Sequence, residues 1–319
     1  MGYVTTSGTQ FILNGRPFLP FGATIYDDLY FPSRFPAKFD ACVAMGLNMV
    51  RFVNFLTIAA TANIEFSESV WVIIDQCLEY CRARGLKVLL DLSDFNAITT
   101  ARGYVCFDAN WLTQAQAFYT FVFTRVNTIN GRVYKNDDTI AIISIVGELT
   151  AWSGVEANGY NTAGGYIKAV DPNHIVHAGG QYVQTIFDSS MGSWEGYIPG
   201  DILSFSNIDC ASIHTYHYSD SDFSTFLPLL QQYSQKRNKP WFIEEFGFDQ
   251  TFYPDSQRAV SMKKTYQQGF KNGSAGHLFW NYDSGVHAGY GVNPSTTESF
   301  SMVQIFAKTS GYSPRLGVI

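Results

Sequence analysis

Two stretches of this chain run through apolar, mostly β-branched or aromatic residues and stop at a carboxylate: Ile142-Ile143-Ser144-Ile145-Val146-Gly147-Glu148 and Trp241-Phe242-Ile243-Glu244-Glu245. Two carboxylates delivered from separate strands are the minimum equipment for hydrolysing a glycosidic bond. One protonates the leaving oxygen while the other attacks or activates water. Arg51, near the end of Asn48–Phe52, can hold one of them ionised, because a neighbouring cation lowers a carboxyl pKa. The second carboxyl then needs a raised pKa to act as an acid. Side chains alternate along a strand, so only one of the adjacent Glu244 and Glu245 is expected to point into such a site.

Residues so far apart in sequence meet only where a fold gathers strand ends. Candidate strands are Phe18–Thr24, Asn48–Phe52, Lys87–Leu92, Ile140–Val146, His174–Ala178, Asp209–His214, Trp241–Glu245 and Gly276–Trp280, each short and apolar enough to be covered on both faces. Amphipathic stretches lie between them, clearest at Ala37–Met45, Glu68–Arg84, Trp111–Thr128, Thr225–Lys236 and Ser256–Lys271. Gly46, Gly85 and Gly273 stand where left-handed residues close helices. Tyr160–Val170 reads as a weak helix, and Gln184–Asn207, rich in Gly, Ser and aromatics, as a long loop near the site. No Pro, Gly or Ser linker divides the chain. About eight strand-helix units without a break predict an α/β fold of one domain over residues 1–319, a single (β/α)8 TIM barrel. In that architecture the chemistry collects at the C-terminal ends of the strands. Arg51, Glu148, His214, Tyr216 just past its strand, and Trp280 fall at matching positions there.

Composition narrows the partners. A net charge of −6 and the lack of any basic run exclude a nucleic-acid backbone as the expected ligand. No segment approaches the roughly 18 consecutive apolar residues of a membrane span. The start, MGYVTTSGTQ, lacks the basic and apolar regions of a signal peptide, which leaves a cytoplasmic protein or one whose leader has been removed. The aromatic share, 16%, exceeds what a core usually needs, leaving rings to line a groove; sugar faces rest well on rings. Trp152, Trp194, Tyr282 and Tyr26 are candidates for that role or for packing, whereas the aromatics of Ala117–Val126 recur at helical spacing and read as core. Five cysteines, an odd number thinly spread, do not form a disulfide framework; they read as buried small side chains, with a bridge involving Cys106 left open. His214 and His217 lack an evident third ligand, so no metal is expected.

Six segments, FILNGRPFLPFGA, GLNMVRF, RVNTINGRVYKNDDTIAIISIVGEL, DCASIHTYHY, KPWFIEEFG and GHLFWNY, occur in the order and spacing of glycoside hydrolase family 5, and most resemble its mannanase-like branch. The resemblance spans almost the whole chain, and the 97 positions between Glu148 and Glu245 suit it. It implies a TIM barrel that cleaves β-linked glycans, mannan first and β-1,4-glucan second, with retention of configuration. It also implies roles: Glu148 resembles the acid/base and Glu245 the nucleophile, leaving Glu244 to the helical layer or a salt bridge. Arg51 resembles the arginine supporting the nucleophile, His214 and Tyr216 the pair lining the reaction centre, and Trp280 the platform under the sugar. Carboxyl groups about 5 Å apart are expected of a retaining pair. Two carboxylates suffice, so no cofactor is implied; the partner is an oligosaccharide or polysaccharide, and a monomer is favoured.

The sequence departs from the family at Gly147, where an Asn that binds the sugar 2-hydroxyl is usual. Thr24 replaces a frequent Asn, and Asp91-Leu92-Ser93-Asp94-Phe95 lacks a frequent His. Gly147 can make room for a substituent or another side chain, or mark a slow enzyme. It can also mark a carbohydrate-binding barrel with weak or lost hydrolytic activity. A lyase or aldolase is disfavoured by the lack of a strand-end Lys. Asp27, Asp28, Asp91 and Asp94 are substrate contacts or loop caps on this reading.

Overall fold

The computed structural model describes residues 2–26, 32–53, 63–149, 154–182, 202–216, 220–282 and 288–309. The chain opens with a small antiparallel sheet, β1 (Val4–Ser7), β2 (Gln10–Leu13) and β3 (Arg16–Phe18), that the apolar pattern alone does not announce. Its second turn is Asn14-Gly15, both with positive φ (53° and 74°), the pair that a tight hairpin requires. Pro20 splits the expected strand from Phe18 to Thr24: β3 ends at Phe18 and β4 (Phe21–Tyr26) begins in another sheet.

From β4 onward the strands are parallel: β5 (Met49–Val53), β6 (Lys87–Asp91), β7 (Ile140–Ser144), β8 (Ile175–His177), β9 (Gln181–Tyr182), β10 (Ala211–Tyr216), β11 (Trp241–Gly247) and β12 (His277–Phe279). Their order, β8-β7-β6-β5-β4-β12-β11-β10-β9, closes through a parallel bridge from His177 to Cys210, and β9 resumes the path of β8 beside β10. Counting β9 with β8, eight parallel strands form a nearly closed (β/α)8 barrel, as expected.

The described helices are α1 (Phe35–Ala44), α2 (Glu68–Ala83), α3 (Asp94–Ala101), α4 (Ala109–Thr124), α5 (Gly154–Val170), α6 (Asp220–Arg237), α7 (Asp255–Lys271) and α8 (Thr297–Thr309). Gly46, Gly85 and Gly273 follow α1, α2 and α7 with positive φ, closing each helix as predicted. The segment read as a weak helix lies within the regular α5. Its glycines lower helix propensity but permit contact: a Cβ on Gly164 would sit 2.8 Å from the Asn207 carbonyl oxygen. The loop expected over 184–207 lies mostly outside the described residues. Cys42, Cys77, Cys81 and Cys210 are buried thiols, as their spacing suggested.

The bottom of the barrel is a plug. Phe11 packs edge-on against Phe242 at 5.8 Å, among Met49, Leu89, Ile142 and Leu278. Burying such a ring contributes about 2–3 kcal/mol. Before β7, Arg125 grips Asp75 and Glu68 and Tyr134 donates to Asp75 at 2.6 Å, fastening the segment that feeds β7. Stability is thus concentrated below and outside, and the upper strand ends are left for polar groups.

One buried residue makes the fold acid-sensitive. His277 in β12 is fully buried against Phe270 and Tyr266, and neither ring nitrogen has a hydrogen-bond partner among the described residues. Burial pushes its pKa down to about 3. The neutral form is favoured by folding, so this stability is present above the unfolded pKa near 6.5 and is lost progressively as pH falls toward 3. His277→Leu should therefore lose less stability than the parent between about pH 7 and pH 4, by about 3 kcal/mol. Denaturant titrations of both proteins at the two pH values check this; equal losses would contradict it.

Candidate active site

A cleft of about 560 Å³ opens at the C-terminal ends of the strands. Of the sequence candidates, Arg51, Gly147, Glu148, His214, Tyr216, Glu245 and Trp280 all line it, joined by Val53, Ser93 and Tyr290. Trp152, Trp194, Asp27, Asp28 and His217 lie outside the described residues, as does the side chain of Tyr26. Tyr282 is buried beneath the surface with the Lys38 ammonium 5.9 Å from its ring centre, so it packs rather than flanks the cleft. Asp94 is buried at the start of α3.

The two proposed carboxylates sit in contrasting surroundings. Glu245, in β11, has a side chain only 6% exposed; Tyr216 Oη donates to its Oε2 at 2.6 Å and Arg51 Nη1 to its Oε1. Glu148 lies four residues past the end of β7 with φ of 52°, a left-handed backbone that side chains adopt at a cost, and its side chain is 35% exposed. Its Oε1 meets His214 Nδ1 at 2.6 Å, and the same nitrogen is 3.3 Å from Glu245 Oε2. One oxygen from each glutamate and one His214 nitrogen all lie within 4.8 Å of one another. The spacing is close enough for a metal ion, but His214 Nδ1 is taken up by its hydrogen bond to Glu148, and the trio is held by that bond and by Arg51. The guanidinium of Arg51 already brings positive charge to Glu245.

Of the two places expected for Glu244, the salt bridge is the one found, and Glu245 alone of the pair lines the cleft. Glu244 is buried at 0% exposure in the barrel interior rather than toward the helices, and its salt bridge runs to Arg51 Nε at 3.2 Å. Strict alternation fails because the β10–β11 register slips: Ile213 faces Ile243, but His214 faces Glu245, leaving Glu244 without an opposite residue. The bulge turns two successive carboxylates inward, one above the other.

Ser93 is a site residue that the sequence reading missed. Gly147 N donates to Ser93 Oγ at 2.7 Å; Ser93 Oγ and N donate to Asp91 Oδ1; and Asp91 Oδ2 accepts from Arg51 Nη2 at 2.6 Å. Asp91 is thus a partner of Arg51, and the chain of contacts ties the end of β7 to the arginine. The turn Asp91-Leu92-Ser93 carried the signal, since an Asp capping the amide two residues on is a common turn device. Tyr290 was missed too, and packs edge-on against Tyr216 at 5.9 Å.

The family model for cellulase (glycosyl hydrolase family 5) matches residues 19–285 of the chain. The chain belongs to that family. Mannan endo-1,4-beta-mannosidase 1 of Oryza sativa subsp. japonica is 24% identical over 93% of this chain and 84% of its own length. An endo-1,4-beta-mannanase from Rhizomucor miehei superimposes with a TM-score of 0.79 at 19% identity, covering 97% of this chain and 100% of its own. A family 5 mannosidase from the same fungus, solved with mannosyl-fructose, gives 0.72 at 17% identity over 96% of each chain.

Charge in this family 5 cleft is finely opposed. Burial works against charge on His214, but the Glu245 charge, the hydrogen bond to Glu148 and the nearby Glu244 carboxylate outweigh it and lift the imidazole to about 10. Burial likewise raises the Glu245 carboxyl above its ordinary value, while His214, Arg51 and Tyr216 restrain the rise and Glu148 adds to it. The lowering expected from Arg51 is therefore present, and burial exceeds it. Burial and the Glu245 charge hold the Tyr216 phenol well above its usual range, so it remains a donor. Burial alone would lower Arg51, yet Glu245, Asp91 and Glu244 keep it well above its ordinary value.

Proposed function

We propose that this family 5 hydrolase cleaves β-1,4-linked mannan, and β-1,4-glucan less well, by a two-glutamate double displacement. The observation that carries the reading is the approach of Glu148 and Glu245 oxygens to within 4.8 Å, against about 5–5.5 Å between carboxyl groups in retaining enzymes and 6.5–9.5 Å in inverting ones. Glu245, gripped by Arg51 and Tyr216, attacks the anomeric carbon. Glu148, open to the cleft, gives its proton to the departing glycosidic oxygen. A covalent glycosyl ester on Glu245 results. Glu148, now a carboxylate, takes a proton from water, whose oxygen attacks the same carbon and frees Glu245. Trp280 offers a ring on which the sugar face rests. The mannan preference follows the relatives, whose names state β-1,4-mannan as what they cleave.

The test is release of reducing ends from purified β-1,4-mannan, β-1,4-glucan and aryl β-glycosides. Turnover highest on mannan supports the reading, and no turnover on any of them would sink it. That second outcome is the glycan-binding barrel, for which the specific observation is Gly147: no side chain reaches the cleft from that position.

Space exists there for one. A Cβ on Gly147 would meet Ser93 Oγ at 3.5 Å and the Gly180 carbonyl oxygen at 3.7 Å, ordinary contacts. Gly147→Asn should fold with under about 1 kcal/mol lost. It should raise kcat/KM on mannan about tenfold, the value of one new hydrogen bond that strengthens in the transition state. Steady-state kinetics check this; a drop on mannan would contradict it.

A further inference from the structure

We propose that Glu244 is a positioning residue for the reaction: from the layer beneath the cleft, its carboxylate keeps His214 an imidazolium and steadies Arg51, and so sets the pH range in which Glu148 and Glu245 work. The inference rests on the reading of those two glutamates as the reacting pair.

The geometry starts from the two nitrogens of His214. Nδ1 faces Glu148 Oε1 at 2.6 Å and Glu245 Oε2 at 3.3 Å, while Nε2 faces Glu244 Oε2 at 3.5 Å. A neutral imidazole has one N–H, so it would aim a lone pair at a carboxylate on one side or the other. With a carboxylate at each end, the doubly protonated ring is the form that satisfies both. Among the described residues, Glu244 supplies an anion at the Nε2 end, and its own place is fixed: Ser212 Oγ donates to Oε2 at 2.6 Å. Its Oε1 lies 3.2 Å from Arg51 Nε and 3.4 Å from His177 Nε2. His177 Nδ1 accepts from the Gly179 amide at 3.1 Å, which leaves the His177 proton on Nε2, toward Glu244.

Among the described residues, six of the eight barrel strands contribute charged or titratable groups here. Arg51 comes from β5, Asp91 from β6, Glu148 from beyond β7, His177 from β8, Tyr216 and His214 from β10, and Glu245 from β11. Burial opposes an ionised Glu244, but His177, Arg51 and His214 outweigh it and hold this carboxyl well below the usual range. It is therefore a fixed negative charge across the working pH range, whereas Glu245 above it is a variable one.

The sign of its removal follows. Taking away a buried anion favours the deprotonated form of every neighbouring group, so the pKa values of Glu148, Glu245 and His214 all fall. Glu245 then ionises at lower pH, and the proton shared between His214 and Glu148 is also lost at lower pH. Both limbs of the kcat/KM profile should move to the acid side in Glu244→Gln, by about one unit, and Glu244→Asp, which keeps the charge, should restore most of the shift. A residue that merely packs would lower kcat and leave the limbs in place.

The deciding experiment is nitrogen-resolved NMR of the histidine side chains between about pH 5 and pH 10, with His214 assigned by His214→Gln. The expected result is an imidazolium at position 214 at about pH 8 in the parent protein and a titration at least about one unit lower in Glu244→Gln. A neutral His214 in the parent at that pH, or an unshifted titration in the variant, would overturn the proposal. If Glu244→Gln fails to fold, the parent spectrum and the smaller acid-side shift of Glu244→Asp decide the matter. The NMR needs no turnover. Failure of the glycosidase reading would therefore show as absent hydrolysis with the titration shift intact, whereas hydrolysis with an unshifted titration removes the role of Glu244.

Discussion

Glu245→Gln should lose on the order of 10⁴-fold or more in kcat on β-mannan, the usual size of effect when a covalent nucleophile is removed. The amide keeps the volume and can still accept from Tyr216, so the cleft should stay formed and substrate should still bind. Stability should not suffer. Burial raises the Glu245 carboxyl in the fold. By linkage, its contribution is present below the unfolded pKa near 4.5 and lost as pH rises through the folded value. At neutral pH the charged group therefore opposes folding, and a neutral glutamine relieves that opposition, as expected where stability has been yielded to activity. Glu148→Gln should differ in kind. It should lose about 10²–10⁴-fold on mannan, but much less in forming the glycosyl ester from an aryl glycoside whose leaving group needs no proton. Glycan kinetics with thermal melts check both variants, and undiminished mannan cleavage in both would remove the assignment.

Arg51→Met should have the largest effect on the fold. Arg51 is 2% exposed and touches Asp91, Glu244 and Glu245, so its removal strands three carboxylates in a poorly hydrated space. Breaking such a buried cluster costs about 3–5 kcal/mol, mostly through the charges left without compensation. The loss should be greatest at neutral pH and shrink as pH falls, because protonation discharges the stranded groups. Activity should fall by about 10²–10³-fold even in the folded fraction, since the nucleophile loses the cation that favours its ionised form. Urea melts at about pH 7 and pH 4.5 separate the two contributions. A variant as stable as the parent at both values would contradict the clamp.

Much of the barrel was legible because a parallel strand covered on both faces is a short apolar run, and polar residues stand out where it ends. Arg51, Glu148, His214, Tyr216, Glu245 and Trp280 were all found that way, and the structure gathers them around one cleft. For Glu244 the salt bridge was legible, and its inward direction beneath Glu245 was not. Alternation presumes an unbroken register, and the slip at Ile213/His214 is a property of two strands together, not of either sequence. His177 looked like an ordinary residue of an apolar run, and only the bridge to Cys210 that closes the barrel brings it beneath the site. The opening hairpin was hidden because its strands are short and mixed in polarity, although Asn14-Gly15 marked its turn. In α5 the glycines argued against a helix that packing supplies.

The central claim is that Glu148 and Glu245 act in double displacement across one cleft. Proton NMR of the first sugar released from a β-1,4-manno-oligosaccharide, recorded before the anomers interconvert, tests it most directly. The β-anomer appearing first is the expected result. The α-anomer appearing first would mean single displacement and would contradict the account.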